Sequence, residues 1–229
     1  MSTPSTPFGS GTPGGLNLDR LPPLPIPADT ANLREGPDLH PQCLSLLPLI
    51  GVWRGEGVIV YPTIPGPFHF GQQIEFAHDG RPFLSYTSRA WLLDGPGGKV
   101  VRPAAREAGF WRAREDDTLE VIITHATGIV EIYYGEQRGT TSWELTTDVV
   151  MRTETAKEVN TAKRLYGLVD ATIDTVGVAV GVTVGANGTA TPPVAPESPV
   201  KDLAYVDERA MVGEKLQPHI SAQLRRIAG

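Results

Sequence analysis

The chain has 229 residues, of which 40% are hydrophobic and 7% aromatic, with a net charge of -6. This composition allows one ordinary core, and the interleaved acids and bases leave no basic stripe for a phosphate backbone, so we expect no nucleic-acid partner. The single cysteine, Cys43, excludes an internal disulfide and a cysteine-rich metal site. With no signal peptide and no membrane-spanning apolar run, the sequence predicts a soluble cytoplasmic protein without a membrane partner.

The first 37 residues are predicted to be a disordered Pro/Gly-rich tail. They contain STPSTPFGSGTPGG and then LPPLPIPAD, a mixture that cannot offset its ordering entropy by burial. The PPLPIP run favours a local polyproline II conformation. The ordered domain is therefore predicted over residues 38–229.

A short helix is predicted at the start of this domain. Asp38 can cap its first turn, and Pro48 makes its last turn irregular. Cys43 is expected to pack as a small apolar residue. The helix should end before Gly51, and we interpret it as a lid or plug.

Beyond Gly51, apolar and polar residues alternate with a period of two, which indicates strands with one buried face. The clearest examples lie at 119–124 and 142–149. Similar runs occur at 82–92, 127–134, 157–168, 203–212 and 219–224, with turn signals such as Asp79-Gly80 between them. Many short strands with brief connections predict an antiparallel all-β fold.

Closure of the strands into a barrel is favoured by the first and last of them. The first strand carries Gly51, Trp53, Gly55 and Gly57, and glycines permit sharp bending and close approach of another backbone. The last strand, His219–Arg226, is available to pair with it. The stretch at 178–200, which is Val/Gly-rich and then Pro-rich, is predicted to be a mobile inserted loop, or alternatively a membrane or partner contact.

The common enzyme signatures are missing from the sequence. It has no Gly-x-Ser-x-Gly elbow and no phosphate loop, and its five histidines are too scattered for a helix-borne zinc motif. A closed barrel with an apolar interior can still hold one small, mostly apolar ligand. The residues alone do not decide whether that ligand is a lipid, a pigment or a metal macrocycle.

Four segments in order carry a family resemblance. They are Gly51–Gly57, which fits G-x-W-x-G-x-G, then Tyr61–Ile64 (YPTI), Phe76–Phe83 (FAHDGRPF) and Leu216–Ile220 (LQPHI). Together they resemble the nitrobindin family, haem-binding β-barrels also described as peroxynitrite isomerases. The resemblance runs from about Leu39 to Arg226 and implies a lipocalin-like or fatty-acid-binding-protein-like barrel of ten antiparallel strands.

The resemblance also implies a cofactor, one haem b per subunit. His219 matches the family's axial ligand to the haem iron, while Thr63 and Lys157 match residues at the haem, where they can bind a propionate. Without the resemblance, a lone strand histidine such as His219 is ordinarily structural, Thr63 is interpreted as a turn hydroxyl and Lys157 as an exposed strand lysine.

Four further residues have open roles. His78 is expected to make a strand-end hydrogen bond rather than to bind a metal. Trp53 is expected to pack across the barrel floor or to touch the ligand. Met211 and Tyr205 share strand parity, so they line the pocket or belong to the core.

The activity implied by the resemblance is conversion of peroxynitrite to nitrate at a ferric haem, with binding of nitric oxide. The first alternative is a non-catalytic carrier of a fatty acid or other apolar ligand, with Arg89 or Tyr205 at the ligand's head group. The second is an interaction module that uses the tail and the inserted loop. A homodimer is possible, through an exposed barrel seam.

Overall fold

The structure is a computed structural model that describes residues 24–171 and 201–229. Within these residues it contains a 3-10 helix at Pro41–Leu49 and ten β-strands. The strands are β1 Gly51–Ile59, β2 Phe68–Ala77, β3 Leu84–Leu93, β4 Val100–Ala113, β5 Thr118–His125, β6 Ile129–Gly139, β7 Ser142–Arg152, β8 Val159–Asp170, β9 Lys201–Met211 and β10 Gln217–Ala228. In this part of the chain no helix is long and apolar enough to cross a membrane. The predicted inserted loop and residues 1–23 of the predicted tail lie outside the described residues.

The ten strands form a closed antiparallel barrel in which consecutive strands pair and β10 closes on β1. The register between these two strands runs from Trp53 opposite Arg226 to Ile59 opposite Ile220. The prediction of a ten-stranded barrel closed by its first and last strands is therefore confirmed.

The glycines of β1 let two neighbouring elements approach it closely. A Cβ atom on Gly55 would lie 2.1 Å from the carbonyl oxygen of Gln223 on β10. A Cβ atom on Gly57 would lie 2.5 Å from both the Phe70 ring and the carbonyl oxygen of Ser221. A side chain at either position would push β1 and β10 apart, which explains why the motif needs glycine there.

The 3-10 helix differs from the predicted helix in its cap. The Nδ1 atom of His40 accepts a hydrogen bond from the Gln42 amide at 3.2 Å, so His40 rather than Asp38 caps the helix. Pro48, inside the helix, has no N–H to donate, which prevents a regular last turn. Cys43 is fully buried, and burial raises the pKa of its thiol to about 11, as suits a packing residue.

Two tryptophans attach this helix to the barrel. The indole N–H of Trp53 donates to the Leu49 carbonyl at 2.7 Å, and that of Trp143 donates to the Ser45 carbonyl at 3.0 Å. The Arg226 guanidinium lies 4.4 Å from the Trp53 ring centroid. The helix thus seals what we call the closed end of the barrel.

Residues that precede the helix also contact the closed end. Thr30 and His78 form an isolated antiparallel bridge, with N–O distances of 2.8 and 2.9 Å. This contact lies within the range predicted as tail, and it is made by backbone atoms alone.

The interior of the barrel has two halves of different character. Near the closed end it is apolar and rich in fully buried aromatic and aliphatic side chains: Trp53, Ile74, Phe76, Trp111, Leu119, Val121 and Trp143. Toward the opposite end it contains buried charged side chains, among them Glu131, Arg164, Asp207 and Arg209. The expectation of an apolar interior is therefore wrong for that half.

Candidate functional site

The strand directions bring the three predicted haem residues to one end of the barrel. Odd-numbered strands all run from the closed end, so the connections that follow them lie together at the opposite end, which we call the rim. Thr63 lies in the connection after β1, Lys157 in the connection after β7, and His219 at the start of β10. Lys157 precedes β8, which begins at Val159 and not at 157 as predicted.

His219 sits at a bulge that changes the direction of its side chain. Pro218 pairs with Glu208 and Ile220 with Asp207, so His219 is an extra residue on β10. A bulge of this kind re-aims a side chain that simple alternation would point outward. The His219 side chain is 16% exposed, and its Nδ1 atom lies 4.0 Å from Oδ1 of Asp207.

The His219 ring is mostly shielded from water, and one of its nitrogens lacks a hydrogen bond. Its Nδ1 atom has no hydrogen-bond partner within residues 24–171 and 201–229. Burial lowers the pKa of His219 to about 4; Asp207 opposes this shift, while Arg209, Arg164 and Lys157 add to it. The imidazole is therefore neutral at pH 7, which is the form that coordinates a metal.

Tyr61 supports His219 from the neighbouring connection. The two rings meet edge to face with their centroids 5.4 Å apart. The Tyr61 hydroxyl accepts from the Met211 amide at 3.0 Å and lies 3.1 Å from the Arg209 carbonyl, to which it can donate. Tyr61 thereby ties the end of β9 to the end of β1, a role that the sequence analysis did not assign to it.

The side chains of Thr63 and Lys157 are both exposed. Thr63 belongs to a turn in which the Ile64 amide donates to the Tyr61 carbonyl at 3.2 Å. The loop of Lys157 is joined to the β9–β10 turn, because the Val212 amide donates to the Glu158 carbonyl at 3.2 Å. The turn that contains Thr63 and the two joined loops therefore lie at the same rim. There the hydroxyl of Thr63 and the ammonium group of Lys157 are both in contact with water.

A network of buried ion pairs lies beneath the rim, and the sequence analysis missed it. Arg164 contacts Glu107 at 2.8 Å and Asp207 at 2.9 Å. Arg209 contacts Glu131 at 2.7 Å and Asp207 at 2.9 Å. The only available signal was that these charged residues occupy inward positions of their strands.

Charge pairing within this network outweighs the cost of burial. Burial alone would raise the pKa of Glu107, but the charge and hydrogen bonds of Arg164 hold it at about 2. Burial would likewise raise the pKa of Glu131, but His125, Arg209 and Arg164 hold it well below its usual range. Both groups are therefore carboxylates at neutral pH, and they depend on the two arginines.

A small cavity of about 50 Å³ lies between the network and the rim. Its lining combines apolar or small residues with polar ones: Ile59, Phe70, Gln72, Ser88, Ala90, Ala104, Ala105, Glu107, Arg164, Tyr205, Asp207 and Ile220. A drug-sized ligand needs several hundred Å³. The cavity has room for a few waters, so a larger ligand does not fit within the network.

The remaining candidates occupy other positions. Arg89 is exposed, so it does not offer a buried head-group contact for a fatty acid. Tyr205 is buried and donates to Gln72 at 2.8 Å, while Met211 packs on a small cluster beside the rim. His78 follows β2 at the closed end and is buried; its backbone makes the expected strand-end hydrogen bonds, with Thr30, while its ring nitrogens have no hydrogen-bond partner in the described residues. The polar interior and the exposed Arg89 do not favour the carrier alternative.

The ten antiparallel strands form a closed barrel that is sealed at one end. At the other end lies a histidine with a buried, unpartnered ring nitrogen. These features define a protein class, the small-ligand-binding β-barrels. The sequence model of the "THAP4-like, heme-binding beta-barrel domain" matches residues 42–186. The chain belongs to this haem-binding family, and the resemblance found in its sequence motifs is confirmed.

Relatives and a solved structure agree with this assignment. A protein of Saccharopolyspora erythraea named "Ferric nitrobindin-like protein" is 44% identical, covering 94% of this chain and 87% of its own. A protein of Mycobacteroides abscessus named "Peroxynitrite isomerase" is 42% identical, covering 94% and 93%. The crystal structure of Rv2717c from M. tuberculosis superposes with a TM-score of 0.61 at 29% identity, covering 82% of this chain and 99% of that one.

Proposed function

We propose that this protein is a haem-dependent peroxynitrite isomerase that converts peroxynitrite to nitrate and also binds nitric oxide. The names of relatives such as the M. abscessus protein support the activity, and the family description supports the cofactor. The observation that carries the proposal is His219, a partly exposed neutral imidazole at the rim whose buried Nδ1 atom has no hydrogen-bond partner among the described residues. The proposed haem-binding domain comprises residues 38–229, and the family match lies within it.

The donor atoms of the site fit a haem. His219 would hold the haem iron through a ring nitrogen, since neutral imidazole binds haem iron well. The haem would supply a ferric Lewis acid that polarises peroxynitrite and promotes its rearrangement. Isomerisation to nitrate conserves atoms, charge and electrons, so no co-reactant is needed. The chain contributes one ligand, burial of that ligand and a rim that gives access to a small anion.

Thr63 and Lys157 are the proposed partners of the haem propionates. Both side chains are exposed at the rim, and no hydrogen bond holds either of them in the described parts of the chain. Propionate groups that remain in contact with water require partners in such positions. The charge of Lys157 acts on His219, which supports a location close to the proposed ligand.

Replacement of His219 with Ala tests the proposal. Wild-type protein should bind haem stoichiometrically with a Soret band. The variant should lose more than about 100-fold in haem affinity, since removing only the hydrogen-bond partner of a metal-ligating histidine costs about 10- to 100-fold. Haem titration followed by absorbance measures both. His69→Ala is the matched control, because His69 lies on the outer face of β2. Failure of wild type to bind haem, or equal binding by the two variants, would refute the proposal.

Replacement of Lys157 with Met should weaken haem binding about two- to fivefold at low ionic strength, because an exposed ion pair contributes up to about 1 kcal/mol. The difference should shrink as salt is added. Haem titrations at two salt concentrations measure it. Lys163→Met is the control, since Lys163 pairs with Glu144 at 2.8 Å on the outside of the barrel. Unchanged affinity at low salt would exclude a contact between Lys157 and a propionate.

A further inference from the structure

We propose that Asp207 positions His219, by accepting the Nδ1–H of the imidazole while Nε2 faces the haem iron. This inference rests on the proposed function, because it assigns a second partner to the proposed axial ligand. It concerns the tautomer and the orientation of the ring, and it makes Asp207 a positioning residue.

One ring nitrogen of His219 lacks a hydrogen bond. Buried side-chain polar atoms nearly always have a partner, and a buried exception calls for an explanation. The Nδ1 atom of His219 is such an exception in the described residues. The carboxylate oxygen facing it is Oδ1 of Asp207, at 4.0 Å. A shift of about 1 Å would bring the pair to hydrogen-bonding distance.

Asp207 has a free acceptor position on the oxygen that faces His219. Oδ1 accepts one hydrogen bond, from Nε of Arg209 at 2.9 Å. Oδ2 accepts one from Nη2 of Arg209 at 3.2 Å and lies 2.9 Å from Nε of Arg164, whose N–H makes no hydrogen bond in the described residues. A carboxylate oxygen has two lone pairs. Oδ1, which lies 4.0 Å from Nδ1 of His219, can therefore accept a second hydrogen bond.

Asp207 is held more rigidly than His219. Asp207 is 1% exposed, and two buried arginines on different strands contact it. His219, by contrast, is an extra residue at a bulge, and its ring makes one aromatic contact, with Tyr61. The carboxylate is thus the fixed member of the pair and the imidazole the adjustable one. Binding of Nε2 to a metal would orient the ring against a preset acceptor.

The chemical consequence concerns the strength of the iron–histidine bond. A histidine that donates its second ring N–H to a carboxylate is held in one tautomer and becomes a stronger ligand. A stronger axial donor favours ferric over ferrous iron. Arg164 and Arg209 share the charge of Asp207, so the proton remains on the imidazole while the hydrogen bond keeps it oriented.

The test compares Asp207→Asn with Glu131→Gln. Glu131 belongs to the same network, is fully buried and also pairs with Arg209, but His125 and not His219 lies against it. Each variant removes one buried negative charge, so both should destabilise the apoprotein. Only Asp207→Asn should lower haem affinity, by about 10- to 100-fold. Only it should lower the Fe–His stretching frequency in resonance Raman spectra of the ferrous protein and raise the reduction potential. Equal shifts in both variants, or no shift in Asp207→Asn, would overturn the proposal.

A second experiment leaves the network intact. In His219→Gly, added imidazole can coordinate haem iron and donate to Asp207, whereas 1-methylimidazole can coordinate but cannot donate. Imidazole should bind about tenfold or more tightly, as expected for a hydrogen bond to a charged group. The preference should shrink when Asp207→Asn is added. Equal affinities for imidazole and 1-methylimidazole would overturn the proposal. Because haem binding by the wild type is measured separately, that result differs from a failure of the proposed function.

Discussion

Replacement of Arg164 with Met should destabilise the folded protein by about 3–5 kcal/mol, as expected when one member of a buried ion pair is removed. Arg164 is 2% exposed and contacts Glu107, Asp207 and, at 3.5 Å, Glu131. Its loss would leave the buried carboxylates of Glu131 and Asp207 and the partly buried one of Glu107 with Arg209 as the remaining buried arginine of the network. Urea unfolding at pH 7 measures the change.

The pH dependence of the Arg164→Met variant should identify the cause. In wild type the pKa of Glu107 is lowered from 4.5 to about 2, so its contribution to stability is complete above pH 4.5 and is lost as the pH falls toward 2. In the variant, Glu107 keeps its burial but loses the arginine, so its pKa in the folded state rises above its pKa in the unfolded state. As the pH falls, Glu107 is therefore protonated in the folded state before it is protonated in the unfolded state. The deficit relative to wild type should therefore shrink between pH 7 and 4.5. A deficit that is constant over that range would contradict this account.

Arg112→Met is the matched control for that experiment. Arg112 pairs with Glu120 at 2.9 Å, but its side chain is 57% exposed. An exposed pair of this kind contributes about 0–1 kcal/mol. A loss of comparable size in the two variants would mean that burial of the Arg164 network has no special energetic role.

Replacement of Trp53 with Ala should cost about 3–5 kcal/mol, the range for removal of a large buried aromatic side chain. Trp53 is fully buried, bonds the Leu49 carbonyl of the helix and stacks on Arg226 of β10. Its loss would open a cavity where the helix, β1 and β10 meet. Thermal and urea unfolding should both show the change.

Trp91→Ala is the control for the Trp53 variant. Trp91 is half-buried on the outer face of β3, where it covers Gly71. The same truncation there removes less buried area and leaves the attachment of the helix unchanged, so its cost should be clearly smaller. If the two substitutions cost the same, Trp53 does not anchor the closed end as described.

The fold was predictable where one face of a strand is buried and the other exposed. The alternation at 142–149 and 119–124 correctly placed β7 and β5. It did not reveal β4, since Val100–Arg106 is exposed along its whole length and carries no alternation. The pairing of β1 with β10 was predictable from the glycines, whose effect on close approach is local.

The candidate site was predictable only in part. The motifs, through their resemblance to a family, pointed to His219, Thr63 and Lys157, and the structure places all three at the rim. The network of Glu107, Arg164 and their partners was not predictable, because a charged residue on a strand resembles a surface residue until its partner is known. That partner lies on a distant strand, and only the closed barrel brings the two together.

The seam between β1 and β10 has a consequence for the order of events during synthesis. Until the ribosome has released β10, β1 has one unpaired edge, β9 has another, and His219 has no place at the rim. Unpaired edges invite pairing with other chains, so the nascent protein is most vulnerable to aggregation before that strand emerges. Under the proposed function, capture of the haem by His219 would follow seam closure, so haem loading would report that the barrel has closed.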